Sequence, residues 1–182
     1  MVKIISDSTC DLSSELISRY GISILPLHIH LGDKEYSDGM DLTPEDIYRW
    51  SDEHKETPKT SAVSMEEVKD MFLPYVEEGR EIVYFSISGE MSASYNVARL
   101  AAEEMEAKSD IVIIDSRNLS TGIGLLVVEA ATLAQQGKSA KEIKETIEEL
   151  IPNVRASFVV DKFNFIIKKP FRFGQHRQNK KA

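Results

Sequence analysis

Apolar positions along this chain switch repeatedly between two periods. Short apolar runs at residues 2–5, 24–31, 81–86, 110–114 and 154–160 read as strands, and Pro26 marks an edge or a strand start in the second. Between them apolar residues recur at spacings of three and four. Asp11 reads as the N-cap of a helix carrying Leu12, Leu16, Ile17 and Tyr20, which Gly21 stops. Thr43-Pro44-Glu45-Asp46 opens another, with a capping hydroxyl, proline at the first position and acids in the first turn. Ser64 and Glu67 form a capping box ahead of Val68, Met71, Phe72 and Tyr75. Ser92 reads as the cap of a helix that turns Val97, Leu100, Ala101 and Met105 inward. Residues 121–136 are apolar nearly all round, as in a helix sandwiched deep in a domain. Ser139 with Glu142 caps a last helix carrying Ile143, Ile147 and Leu150. Residues 32–34 form a turn, 35–39 an irregular excursion and 57–64 a hydroxyl-rich loop.

Strand and helix in alternation predict an α/β fold: a mostly parallel sheet flanked by helices on both faces. The pattern sustains one such domain over residues 1–153, followed by a remnant over 154–182. Composition agrees, with 42% hydrophobic and 29% charged residues. No apolar run is long enough to span a membrane, the first residues lack a signal-peptide core, and a single Cys10 forms no internal disulfide. These features fit a cytoplasmic protein. The net charge of −8 is unevenly spread: residues 161–182 hold seven Lys/Arg against one Asp, so the body is strongly acidic. An acidic body has no basic face with which to displace phosphate counterions, which argues against nucleic-acid binding. The basic tail reads as a solvated end.

The candidate chemistry lies where three strands run into helices. The junctions are Ser6-Asp7-Ser8-Thr9, the nine residues from Ser86 to Ser94, and the seven from Asp115 to Thr121. In an open parallel sheet the strand carboxyl ends line one edge, and ligands bind in the crevice there. Hydroxyls beside helix N-termini suit an anionic head such as carboxylate or phosphate. Several of these residues have a local structural role as well. Asp7 and Ser8 belong in a turn, and Ser64 and Ser92 sit where caps belong. An aspartyl phosphatase would need a second carboxylate where Thr9 stands. His28 and His30 share one face of a strand, but no acid or cysteine cluster near them in sequence marks a metal site, so no metal or other cofactor is expected. No P-loop or dinucleotide fingerprint is present. The arrangement reads as a holder of ligands more than an agent of bond breaking.

Several blocks in order sharpen this reading. They are the nine residues from Ile4 to Leu12, Tyr36-Ser37-Asp38-Gly39, Lys59-Thr60-Ser61 through Ser64, the stretch from Ser86 to Asn96, Asp115-Ser116 through Gly124, and Phe158-Val159-Val160-Asp161. With these the sequence resembles, over about residues 1–160, the N-terminal portion of the DegV family of two-domain bacterial fatty-acid-binding proteins. The resemblance implies a long-chain fatty acid as ligand, its carboxylate held by hydroxyls, and a separate fatty acid kinase as the partner that phosphorylates it. It places the head-group contacts on Thr60, Ser61 and Ser92, with Ser88, Ser64 and Ser8 shaping the pocket and Asp7 supporting them. Burying about fifteen methylenes at roughly 0.8 kcal/mol each gives on the order of 10 kcal/mol before association costs. The head then needs orientation more than affinity.

After Asp161 the sequence departs from the family pattern and reads as a truncated or frame-shifted end. The family's second domain supplies further head-group contacts, including a histidine, and the surroundings of His176 do not match it. The resemblance therefore implies an incomplete crevice, impaired binding and a bare surface through which two copies could dimerise. Three other readings stay open. One is a sugar-phosphate-binding or isomerase-type domain built on the Ser86-Ile87-Ser88-Gly89-Glu90 loop. Another is an esterase using Ser92 or Ser8, and the third is a folded fragment without function.

Overall fold

Alternation within the strands decides which side chain meets which helix layer. The computed structural model describes residues 1–157 apart from 106 and 108. In chain order the elements are β1 (Lys3–Asp7), α1 (Ser14–Tyr20), β2 (Ser23–Leu25), β3 (His28–Leu31), β4 (Lys34–Ser37), α2 (Pro44–His54), β5 (Lys59–Ser61), α3 (Met65–Glu77), β6 (Ile82–Ser86), α4 (Ser94–Glu104), β7 (Ile111–Asp115), α5 (Thr121–Gln135) and α6 (Ala140–Leu150). Short 3-10 turns occupy Ser8–Cys10 and Ile151–Asn153. Four strands form a parallel sheet in the order β2-β1-β6-β7, with Ile5 opposite both Ser23 and Tyr84.

On one face of this sheet Ile4, Val83, Phe85 and Ile114 pack against Ile123, Val127, Ile143 and Ile147 of α5 and α6. On the other, Ile5, Ile82 and Tyr84 meet Val68 and Phe72 of α3 and Ala98 and Ala101 of α4. Phe72 and Tyr84 touch edge to face, with centroids 5.6 Å apart. Burial of each such side chain stabilises the fold by about 1.5–3 kcal/mol. These two layers are the expected architecture, and α5 is the deeply set helix: eight of its residues are buried, although Leu125 projects to solvent.

The chain leaves β1 through α1 toward β2, and leaves β6 through α4 toward β7, on opposite faces. β1 and β6 are adjacent, so their carboxyl ends diverge at a topological switch point, where open sheets place ligands. A second, antiparallel sheet in the order β4-β3-β5 accompanies the first.

That second sheet corrects the sequence reading. The expected strand over 24–31 is two strands in different sheets, because Pro26 has no N–H to offer the ladder. The irregular stretch 35–39 includes part of β4, and the loop 57–64 includes β5; both strands are polar, so no apolar alternation announced them. Ser13, not Asp11, caps α1, since Asp11 adopts a left-handed conformation at φ 50°. Ser92 is not the N-cap of α4; Ala93 holds that place without a side-chain bond. Leu100 faces outward at 43% exposure. The capping boxes expected at Ser64/Glu67 and Ser139/Glu142 are both formed, and Gly21 ends α1 in the left-handed region. Of the strand expected over 154–160, residues 154–157 carry no strand pairing and 158–160 lie outside the described residues.

Candidate ligand-binding site

Asp7 ends β1 at the switch point, fully buried, with no cation against it. Its Oδ1 accepts from the Thr9 amide at 3.2 Å and the Thr9 hydroxyl at 2.5 Å. Its Oδ2 accepts from the Ile87 amide at 2.7 Å and the Ser86 hydroxyl at 3.4 Å. Burial raises its pKa above the usual carboxylate value, while the bonds from Thr9, Ile87 and Ser86 oppose that shift. Asp7 therefore braces the β6–α4 loop rather than Ser8. The Ser8 hydroxyl instead donates to Asp38 Oδ2 at 2.7 Å and accepts from the Leu27 amide at 3.1 Å, tying the switch point to the small sheet.

The loop from Ile87 to Ser92 holds nearly every backbone donor inward. The Ile87 amide goes to Asp7, Ser88 to the Asn118 carbonyl at 3.0 Å and Gly89 to Asp115 Oδ1 at 3.0 Å. Glu90 donates to Ser88 Oγ, and Met91 and Ser92 donate to the Ser88 carbonyl. A phosphate loop needs those N–H groups free and aimed at the anion, so the likeness of Ser86-Ile87-Ser88-Gly89-Glu90 to such a loop does not extend to its geometry. Of the loop's side-chain hydroxyls, Ser92 alone is partly exposed. Ser88 is buried; Ser92 Oγ lies 2.9 Å from Ser94 Oγ and accepts from the Ser94 amide at 3.2 Å.

Thr60 and Ser61 sit on β5, opposite Ile29 and His28 of β3. Residues directly opposed in an antiparallel pair share a face, and successive residues alternate. Thr60 thus lies with Ile29, and Ser61 with His28 and His30, on opposite faces of the small sheet. The Ser61 hydroxyl is 2.9 Å from His30 Nε2, whereas among the described residues no hydrogen bond holds the Thr60 hydroxyl. Ser64 is occupied by its cap: its hydroxyl donates to Glu67 Oε2 at 2.7 Å and accepts from the Glu67 amide at 3.2 Å. Burial disfavours the charge of Glu67, yet the bonds from Ser64 and from His28 outweigh it and hold its pKa below the usual value.

Packing shows how α3 and α4 run between the two sheets. Tyr75, near the end of α3, meets Ser23 at the start of β2, and Glu67, in the first turn, reaches His28. α3 therefore begins near the small sheet and ends at the amino edge of the parallel strands. α4 packs beside it on the same face and starts from the carboxyl end of β6. A cleft of about 500 Å³ opens beside Ser8, with Leu12, Ile24, Met40, Leu42 and Ile47 among its walls. A second cleft of about 430 Å³ lies at the amino edge, against Val2, Glu81 and Ser139, away from the hydroxyl junctions.

Among the described residues the histidines show no hydrolase geometry. Both Ser61 Oγ and Glu35 Oε2 face the same nitrogen of His30, Nε2, at 2.9 and 3.5 Å, so the acid does not orient the ring from behind. Ser8 and Ser92 bond to Asp38 and Ser94 rather than to a histidine. Sequence reasoning did not assign the anchoring roles of Asp115 and Asp38, or the contacts by which Glu35 and Glu67 flank His28 at 3.6 and 3.0 Å. Glu35 meets His28 across the β3–β4 hairpin, and the others reach their partners from distant segments; the only available signal was that Asp38 and Asp115 fall inside the recognisable blocks.

Comparison with known proteins agrees with this fold. The family model described as "Uncharacterised protein, DegV family" matches residues 1–169, past the point where the composition changes. A DegV domain-containing protein of Clostridium acetobutylicum is 37% identical over 167 residues, covering 92% of this chain and 60% of that protein. The structure described as fatty acid binding of a DegV family protein from Thermus thermophilus superposes with a TM-score of 0.77 at 29% identity, over 83% of this chain and 53% of that one. A stearic acid-binding protein of Eubacterium ventriosum gives 0.74 at 33% identity, over 81% and 52%. The chain thus spans half to three fifths of the length of these relatives. Blocks, two-layered sheet and family match coincide over the same residues, and the chain belongs to the DegV family.

Proposed function

We propose that this chain is a fatty-acid-binding module, not an enzyme, that holds a long-chain fatty acid by its carboxylate and presents it to a fatty acid kinase. The observation that carries the reading is the switch-point rim, where the loop's backbone donors are turned inward and the partly exposed Ser92 hydroxyl is left to meet the head. Thr60, whose hydroxyl has no hydrogen-bond partner among the described residues, and Ser92 donate to the carboxylate. Ser61, on the opposite face with His30, and Ser64, within its capping box, set the strand and helix that carry the site. Ser88 and Ser8 shape the rim, and Asp7 holds the loop. Hydroxyl donors fix the head without the tight bidentate grip of arginine, which leaves a carboxylate oxygen open to an incoming phosphoryl group. The apolar walls beside Ser8 offer cover to methylenes near the head.

Solved DegV relatives described as binding fatty acids support the reading. Because the chain covers about half of those relatives, retention is expected to be weaker than in the longer proteins. Organic extraction of the purified protein followed by mass spectrometry tests this. A long-chain fatty acid in less than stoichiometric amount is expected. A protein free of lipid that also fails to take up added hexadecanoic acid would refute the proposal.

A further inference from the structure

The loop that carries Ser88 and Ser92 has anchors on both sides of β6. Asp7, at the end of β1, takes the Ile87 amide, and Asp115, at the end of β7, takes the Gly89 amide. Asp115 does more than accept one bond. The same Oδ1 accepts the Arg117 amide at 3.0 Å, closing the turn after β7 in which Arg117 adopts φ 50°. From that turn the Asn118 carbonyl accepts the Ser88 amide at 3.0 Å. One carboxylate oxygen thus staples two ligand-edge loops that are 26 residues apart in sequence. Space at the staple is tight: a Cβ on Gly89 would lie 3.3 Å from Asp115 Oδ2 and 3.3 Å from Tyr95 Cδ1. A side chain at 89 would have to push Asp115 or Tyr95 aside by a few tenths of an ångström.

We propose that Asp115 is a positioning residue for the head-group site, acting through Gly89 and Ser88 to fix where the Ser92 hydroxyl stands; this rests on the reading of Ser92 as a carboxylate donor. The charge of Asp115 is not what the role requires. Oδ1 makes both bonds as an acceptor, and an amide oxygen accepts equally well in the same place. Asn therefore substitutes for Asp115, while Ala removes the acceptor and Glu carries it one methylene too far.

The test titrates a fluorescent long-chain fatty acid into wild type, Asp115→Asn, Asp115→Ala and Asp115→Glu, with backbone amide exchange followed by NMR in each. Asp115→Ala and Asp115→Glu are expected to weaken binding at least tenfold and to speed exchange at Gly89. Asp115→Asn is expected to stay within about threefold of wild type, with Gly89 still protected. Equal affinity in wild type and Asp115→Ala overturns the inference, as does failure of Asp115→Asn to rescue. If Asp115→Ala loses its overall exchange protection, the Asn and Glu variants decide: equal affinity in those two also overturns it. Absence of binding by wild type would instead count against the fatty-acid reading itself.

Discussion

At the scale of single residues, two kinds of carboxylate occupy this molecule, and they respond to acid in opposite directions. Glu142 caps α6: the Ser139 amide, Lys138 and the Ser139 hydroxyl lower its pKa to about 2, from an ordinary 4.5. A group lowered on folding supports the fold above its unfolded value, and that support is lost as pH falls from about 4.5 through about 2. Asp46, bonded to the Thr43 hydroxyl and amide and paired with Arg49, shifts the same way. Asp7 shifts upward because burial disfavours its charge. The folded state then binds its proton more readily than the unfolded chain, so ionisation of Asp7 weakens the fold as pH rises from 3.8 through the raised value. Acid unfolding is expected to follow the caps and not the switch-point aspartate. Carbon-13 NMR titration of the side-chain carboxyls checks this, with Glu142 titrating near 2 and Asp7 above 3.8. Asp7 titrating below its ordinary value would contradict the account.

At the scale of elements, packing at the start of α5 is the tightest feature bordering the site. A Cβ on Gly124 would stand 2.6 Å from the backbone carbonyl of Cys10, a group that cannot swing aside. Gly124→Ala is therefore expected to destabilise the protein by about 1–3 kcal/mol, despite the better helix propensity of alanine. Chemical denaturation gives the value directly, and an unchanged midpoint would show that α5 does not press on the Ser8–Cys10 turn. Helix starts were legible in sequence wherever the cap is local, as at Thr43, Ser64 and Ser139, because hydroxyl and acid lie three residues apart. They were not legible at Ser92 or Asp11. There, loop and turn geometry fixed by Asp115, Asn118 and Ser120 decides where the helix begins. β4 and β5 escaped the pattern because their polar residues owe their strand form to pairing with β3.

At the scale of the whole molecule, β1, β6 and β7 of the parallel sheet were legible because each is an apolar run that leads into a helix, while β2 was read as one strand with β3. Its carboxyl edge followed from that alone. Among the described residues no helix is long and apolar enough to cross a membrane. The separation of Thr60 from Ser61 was not legible, since it depends on β5 being a strand and on its register with β3. The same holds for the inward turn of the loop amides, on which the proposed hydroxyl recognition of a head group rests. The central claim is that Thr60 and Ser92, far apart in sequence, hold one carboxylate. Carbon-13 NMR of hexadecanoic acid labelled at the carboxyl carbon tests it in wild type, Thr60→Ala and Ser92→Ala. Each lost bond to a charged group removes roughly 1.5–3 kcal/mol, about tenfold or more in affinity. The account predicts a single bound resonance that shifts in both variants, with affinity reduced in each. A bound resonance and affinity indifferent to both substitutions would contradict it.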